Sequence, residues 1–163
     1  MTRASALVAV LLGVAASAGH AQSANVTVRA QVGAAMTVTG ARALSFGNVT
    51  AGVASTIPVN GVTSGRFLVN GPGNTGIRLS FTLPGTLVNG GSTLPIGAWT
   101  ACRNNNNNST NGCTAFTPSG AGTTATLHPS GNMNVFVGGT VTPAANQAGG
   151  LYTGTVTLTV SYI

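Results

Sequence analysis

The sequence predicts an all-β fold, a sandwich or barrel of short strands, on three observations. Apolar residues recur at every second position in run after run, as in "IRLSFTL" (77–83) and "TVTLTVSYI" (155–163). A two-residue period turns one side of an extended chain toward a core and the other toward water. Beyond residue 21 no stretch carries apolar residues at three-four spacing, so helix signals are missing. Asn-Gly pairs stand between the runs at 60–61, 70–71, 89–90 and 111–112. Both residues tolerate the positive φ of tight hairpin turns.

The first segment in chain order is a leader. Arg3 precedes the apolar run "ASALVAVLLGVAASA" (4–18), and Gly19 and Ala21 are small residues suited to signal peptidase. Residues 1–21 are expected to be a secretory signal peptide cut after Ala21, since the run is too short to span a membrane. Residues 22–33, "QSANVTVRAQVG", then alternate: Val26, Val28, Ala30 and Val32 share one side, and Asn25, Thr27, Arg29 and Gln31 the other. This reads as one strand ahead of a single domain, residues 34–163.

Within the domain, strands are expected at "AMTVTG" (35–40), "ALSFGNV" (43–49), "STIPV" (55–59), "RFLVN" (66–70), "IRLSFTL" (77–83) and "NVFVGGTV" (134–141). Pro58 cannot donate to a ladder and suits an edge. Residues 85–129 are the least regular and are expected to hold surface loops. Inside them Cys102 and Cys113 bracket "RNNNNNSTNG". No third metal ligand is near, so a disulfide closing that loop is expected. The last run, 149–163, sets Tyr152, Gly154, Val156, Leu158, Val160 and Tyr162 on one side and a row of hydroxyls on the other. A strand this long with a free edge is a template for pairing. Either the sheet closes as a barrel, or another chain supplies the neighbouring strand, and residues 22–33 have the pattern to be that strand.

Charge excludes several functions. The chain has six arginines, no lysine and no Asp or Glu. With the leader removed, Arg29, Arg42, Arg66, Arg78 and Arg103 remain, scattered singly and without aromatic interleaving, so nucleic-acid binding is not expected. Without carboxylates there is no acid/base pair, no Ser-His-Asp triad and no calcium loop. His128, the single histidine beyond the leader, reads as a loop residue. The expected protein is not an enzyme, takes no cofactor and is not stably inserted in a membrane; it binds or builds. Acid unfolding is mostly the protonation of paired carboxylates, and none exist here. The unfolding free energy is therefore expected to stay flat from neutral pH to about pH 3. Urea titrations across that range check this, and a steep acid limb would contradict it.

The terminal run resembles the C-terminal signature of chaperone–usher pilins: Gly150, then the alternating Tyr152, Val156, Leu158 and Val160, then the penultimate Tyr162. "ALSFGNV", "GRFLVNGPGNTGIRLSFTLP" (65–84), "VFVGGTVTP" (135–143) and "GLYTGTVTLTVSYI" (150–163) together resemble a secreted bacterial family known as a domain of unknown function (number 4402). That family is similar to spore-coat-U-like and archaic chaperone–usher pilins. The resemblance implies an incomplete immunoglobulin-like β-sandwich completed by a donated strand. A periplasmic chaperone would hold it in transit, and an outer-membrane usher would pass it to the arm of an identical or related subunit. The product would be a fimbrium at the cell surface. Val26, Val28, Ala30 and Val32 would be the donor residues, and the Gly150–Tyr162 set the groove strand that the chaperone recognises. One departure stands out: "AAMTVTGARALSFG" (34–47) lacks the cysteine usual in the first strand of spore-coat-U-like proteins. Two alternatives remain at this point, a secreted β-sandwich binding protein that forms no fibre and a small outer-membrane β-barrel.

Overall fold

The computed structural model describes residues 26–30, 35–105 and 111–163. Among these residues there are ten strands and no helix. In order they are β1 Thr37–Arg42, β2 Ser55–Ile57, β3 Gly65–Asn70, β4 Gly76–Thr82, β5 Thr86–Asn89, β6 Ser92–Asn104, β7 Thr114–Phe116, β8 Thr123–Thr126, β9 Asn132–Val141 and β10 Thr157–Tyr162. They form two sheets, all of whose ladders are antiparallel. A seven-stranded sheet runs β1-β3-β9-β6-β5, with β2 also on β9 and β7 on β6. A three-stranded sheet runs β10-β4-β8. The chain is thus a β-sandwich around an apolar interior, and the closed barrel is not its arrangement.

The small sheet follows the alternation directly. On β4, Ile77, Leu79 and Phe81 are buried while Arg78 and Thr82 face out. They pack against Val69, Val135 and Val137 of the large sheet, with Leu158 of β10 closing one side. Each such side chain contributes about 1.5–3 kcal/mol of burial. Phe81 ties the layers together: its ring lies 6.4 Å from that of Phe67 and 6.0 Å from that of Phe116, at 75° and 46°. Aromatic pairs at such separations add about 0.5–1.5 kcal/mol each. The centre of the large sheet, β9, is buried on both faces, including Asn134 and Phe136 on the side away from the interior.

Three expectations need correction. Residues 85–129 are not mainly loop; they hold β5, β7, β8 and the 13-residue β6, the longest strand described. Its period is hidden because the register slips between Gly97 and Thr100, where Ala98 takes φ 46°. This β-bulge shifts the alternation by one residue and turns Trp99 inward against Gly139. Residues 43–49 are not a strand. Leu44 and Phe46 point inward as the alternation says, but Gly47 at φ 64° turns the chain before a ladder forms. The last strand spans only Thr157–Tyr162; residues 149–156 make a single bridge, Thr153 to Val88.

Turn chemistry also differs in detail. Of the four Asn-Gly pairs, only Asn89-Gly90 lies in a tight hairpin, and there Asn89 pairs with Ser92 so that the loop itself is Gly90-Gly91. Cys102 and Cys113 are bonded, with Cα atoms 5.7 Å apart. The bridge sits beside the short β6–β7 ladder, where Cys102 faces Ala115. Pro58 lies just past β2, whose ladder among the described residues is with β9 alone.

Candidate functional site

Three strands cannot cover seven. The inner face of the large sheet extends past β10, and there a second apolar cluster, Leu94, Ile96 and Val141, has no strand above it among the described residues. In place of a strand there is an open cleft of about 1190 Å³. Its floor includes Phe67, Leu87, Leu94, Ile96, Val137 and Val141, with Trp99 set into it by the bulge. Its walls are two non-strand segments, residues 43–51 and 143–156. Among the described residues the cleft has one charged residue in its lining, Arg42.

The wall at 143–156 is held by polar contacts rather than a ladder. Gln147 Nε2 donates to the Thr93 carbonyl at 3.0 Å and lies 2.6 Å from the Tyr152 hydroxyl. That hydroxyl donates to the Ala148 carbonyl at 2.8 Å. Thr153 and Val88 exchange two backbone hydrogen bonds of 2.8 and 2.9 Å. Gly150 takes φ 141°, and a Cβ there would collide with the Asn89 side-chain amide. Replacing Gly150 with Ala is expected to cost about 1–2 kcal/mol for the backbone conformation, plus the clash. Urea unfolding checks this, and Asn89→Gly in the same chain should recover the clash but not the backbone part. A Gly150→Ala chain as stable as the parent would contradict the reading.

One edge strand, β1, contributes Gly40 and Arg42 to the lining, and a second, β10, begins directly after the wall residue Val156. β1 pairs only with β3 and β10 only with β4 among the described residues, and the two come within 8 Å of each other between Cα atoms. All six residues of β1 are exposed.

The sequence-derived residues fall as follows. Gly150, Tyr152 and Val156 line the cleft, the last two half-buried. Leu158 is buried in the main core, Val160 is half-buried and Tyr162 is 46% exposed. The chain divides into two units, Met1–Gln31 and Val32–Ile163. In the first, residues 26–30 are in no strand; Val26 and Val28 are 87% and 89% exposed, and Ala30 is exposed. Val32 lies outside the described residues. His128 sits in the turn between β8 and β9 with Nδ1 2.7 Å from Ser130 Oγ. Sequence reasoning missed the floor of the cleft, Trp99 above all. The inward Leu44 and Phe46 were the signal within reach, since apolar alternation beside a glycine marks a face without marking a ladder.

No curated protein matches the chain. A family model does match, over residues 41–162, which takes in both walls of the cleft, its floor and nine of the ten strands in full. The chain belongs to the family described as Domain of unknown function (DUF4402).

Proposed function

We propose that the protein is a structural subunit of a surface fibre, polymerising head to tail by strand donation along the chaperone–usher route. One observation carries this reading: an apolar cleft that no strand among the described residues covers, lined in part by the edge strand β1 and by the segment leading into β10, in a chain that also has an alternating apolar segment at 22–33. An exposed sheet edge takes an extended segment by main-chain hydrogen bonds, and pockets for alternate side chains set the register. The donated strand would be the arm of a sister subunit, with Val26, Val28, Ala30 and Val32 entering the cleft. The contact joins different surfaces of the two partners, so repetition gives an open filament. The resemblance of Gly150 through Tyr162 to the pilin signature points the same way, and with it to an immunoglobulin-like topology. A periplasmic chaperone and an outer-membrane usher are the implied partners. Residues 1–21 would direct export, the finished fibre would stand at the cell surface, and the subunit would perform no catalysis.

Electron microscopy of cells overexpressing the protein together with its neighbouring genes tests the proposal. Filaments that react with antibody to the mature chain are expected. Release of a soluble monomer with no filaments would favour the second reading, a secreted sandwich that binds a partner without assembling.

A further inference from the structure

A chain without Asp or Glu has no side-chain carboxylate to set against its arginines. Arginines scattered in water tolerate this, but Arg42 and Arg66 are not scattered. They are direct partners across the β1–β3 ladder, and like charges placed opposite each other destabilise a sheet. Phe67 and Val69 pack into the interior, so Arg66, between Gly65 and Phe67, faces away from it. Arg42, which also lines the cleft, is pinned to Ser64 and Gly61. Its Nε donates to the Ser64 carbonyl at 2.6 Å, and its Nη2 lies 2.7 Å from Ser64 Oγ and 3.5 Å from the Gly61 carbonyl. Ser64 is fully buried beneath it. On Arg66 the Nε is buried with no hydrogen-bond partner among the described residues, so part of that charge is desolvated without compensation.

We propose that Arg42 and Arg66 form a binding site for a divalent oxyanion, a phosphate or sulfate group. The group would bridge the outer Nη donors of the two guanidiniums. An anion there offsets the repulsion between the pair and the cost of holding Arg66 partly out of water. The planar fork of Arg suits a tetrahedral oxyanion in a way that a lysine would not. Holding Arg42 by Ser64 removes part of the ordering cost on binding. The site includes Arg42, which also lines the cleft, but oxyanion binding there does not depend on the fibre reading.

The test follows the arginine side-chain NH resonances of the ¹⁵N-labelled protein. Sodium phosphate and sodium sulfate are titrated in separate arms against sodium chloride of matched ionic strength. A saturable shift confined to Arg42 and Arg66, produced by phosphate or by sulfate but not by chloride, is the expected result. Arg66→Gln should weaken binding by roughly tenfold or more, with Arg66→Lys in between because it keeps charge and loses the fork. If Arg66→Gln loses its sheet signal in circular dichroism, Arg66→Lys and Arg42→Lys carry the comparison. Equal shifts with chloride, equal shifts at every arginine, or a folded Arg66→Gln chain that binds as before would overturn the site.

Discussion

Deleting residues 22–33 is expected to leave a folded, disulfide-closed sandwich that no longer assembles. The domain's cores draw on strands β3 to β10 and on inward residues such as Met36 and Phe46, none of which the deletion touches. What it removes is the alternating segment whose Val26 and Val28 are exposed. In the proposed fibre, Val26, Val28 and Val32 are buried in a neighbour's cleft, and the burial of three valines alone is about 4.5–9 kcal/mol. A backbone ladder adds to that, so loss of the arm removes the link rather than weakening it. The truncated subunit should still be captured by the chaperone that the proposal implies, because the cleft and β10 are intact. Detergent-resistant ladders on gels and electron microscopy check the outcome. Fibres made from the truncated chain would rule out donation by this segment.

The second large effect concerns the bridge between Cys102 and Cys113, which are 11 residues apart. In the chain-entropy picture, closing a loop of this size stabilises by about 3 kcal/mol through the unfolded state. Replacing both cysteines with serine should lower the melting temperature by roughly 6–12 °C. The loss should be local in structure. The bridge stands next to the three-residue β6–β7 ladder, and β7 carries Phe116, which contacts Phe81 in the core. Near-ultraviolet signals from that ring contact should weaken, while the far-ultraviolet sheet signal should persist. A reduced or serine-substituted protein that melts at the parent temperature would show that the loop contributes nothing.

How much of this was legible in the sequence depends on what alternation reports. It reports which way side chains face, and for Ile77, Leu79 and Phe81 facing and pairing coincide, so β4 was readable to within a residue. At 43–49 and 149–156 they part. Phe46 and Tyr152 face inward as expected, yet their backbones find glycine turns and side-chain hydrogen bonds instead of a ladder. The opposite failure occurs in β6, where pairing is continuous but the Gly97–Thr100 bulge breaks the period. Pro95 lies inside the same strand, at a position paired with Thr86 of β5. The cleft itself was beyond reach from spacing alone. Its floor joins Phe67, Ile96 and Val141, which lie far apart in the chain and meet only through sheet order. What the sequence could offer was the apolar periodicity of 22–33 and of the last strand, the two segments from which the fibre reading grew.

Trp99 is the sole tryptophan of the chain and lies in the cleft, so its fluorescence reports directly on whether the cleft takes a strand. A synthetic peptide of residues 22–33 is added to protein lacking those residues. A saturable blue shift at one peptide per chain is expected, and it should vanish when Val26 and Val28 of the peptide are replaced by Asp. A Trp99 spectrum that ignores the native peptide, or answers equally to the Asp-substituted one, would contradict strand donation.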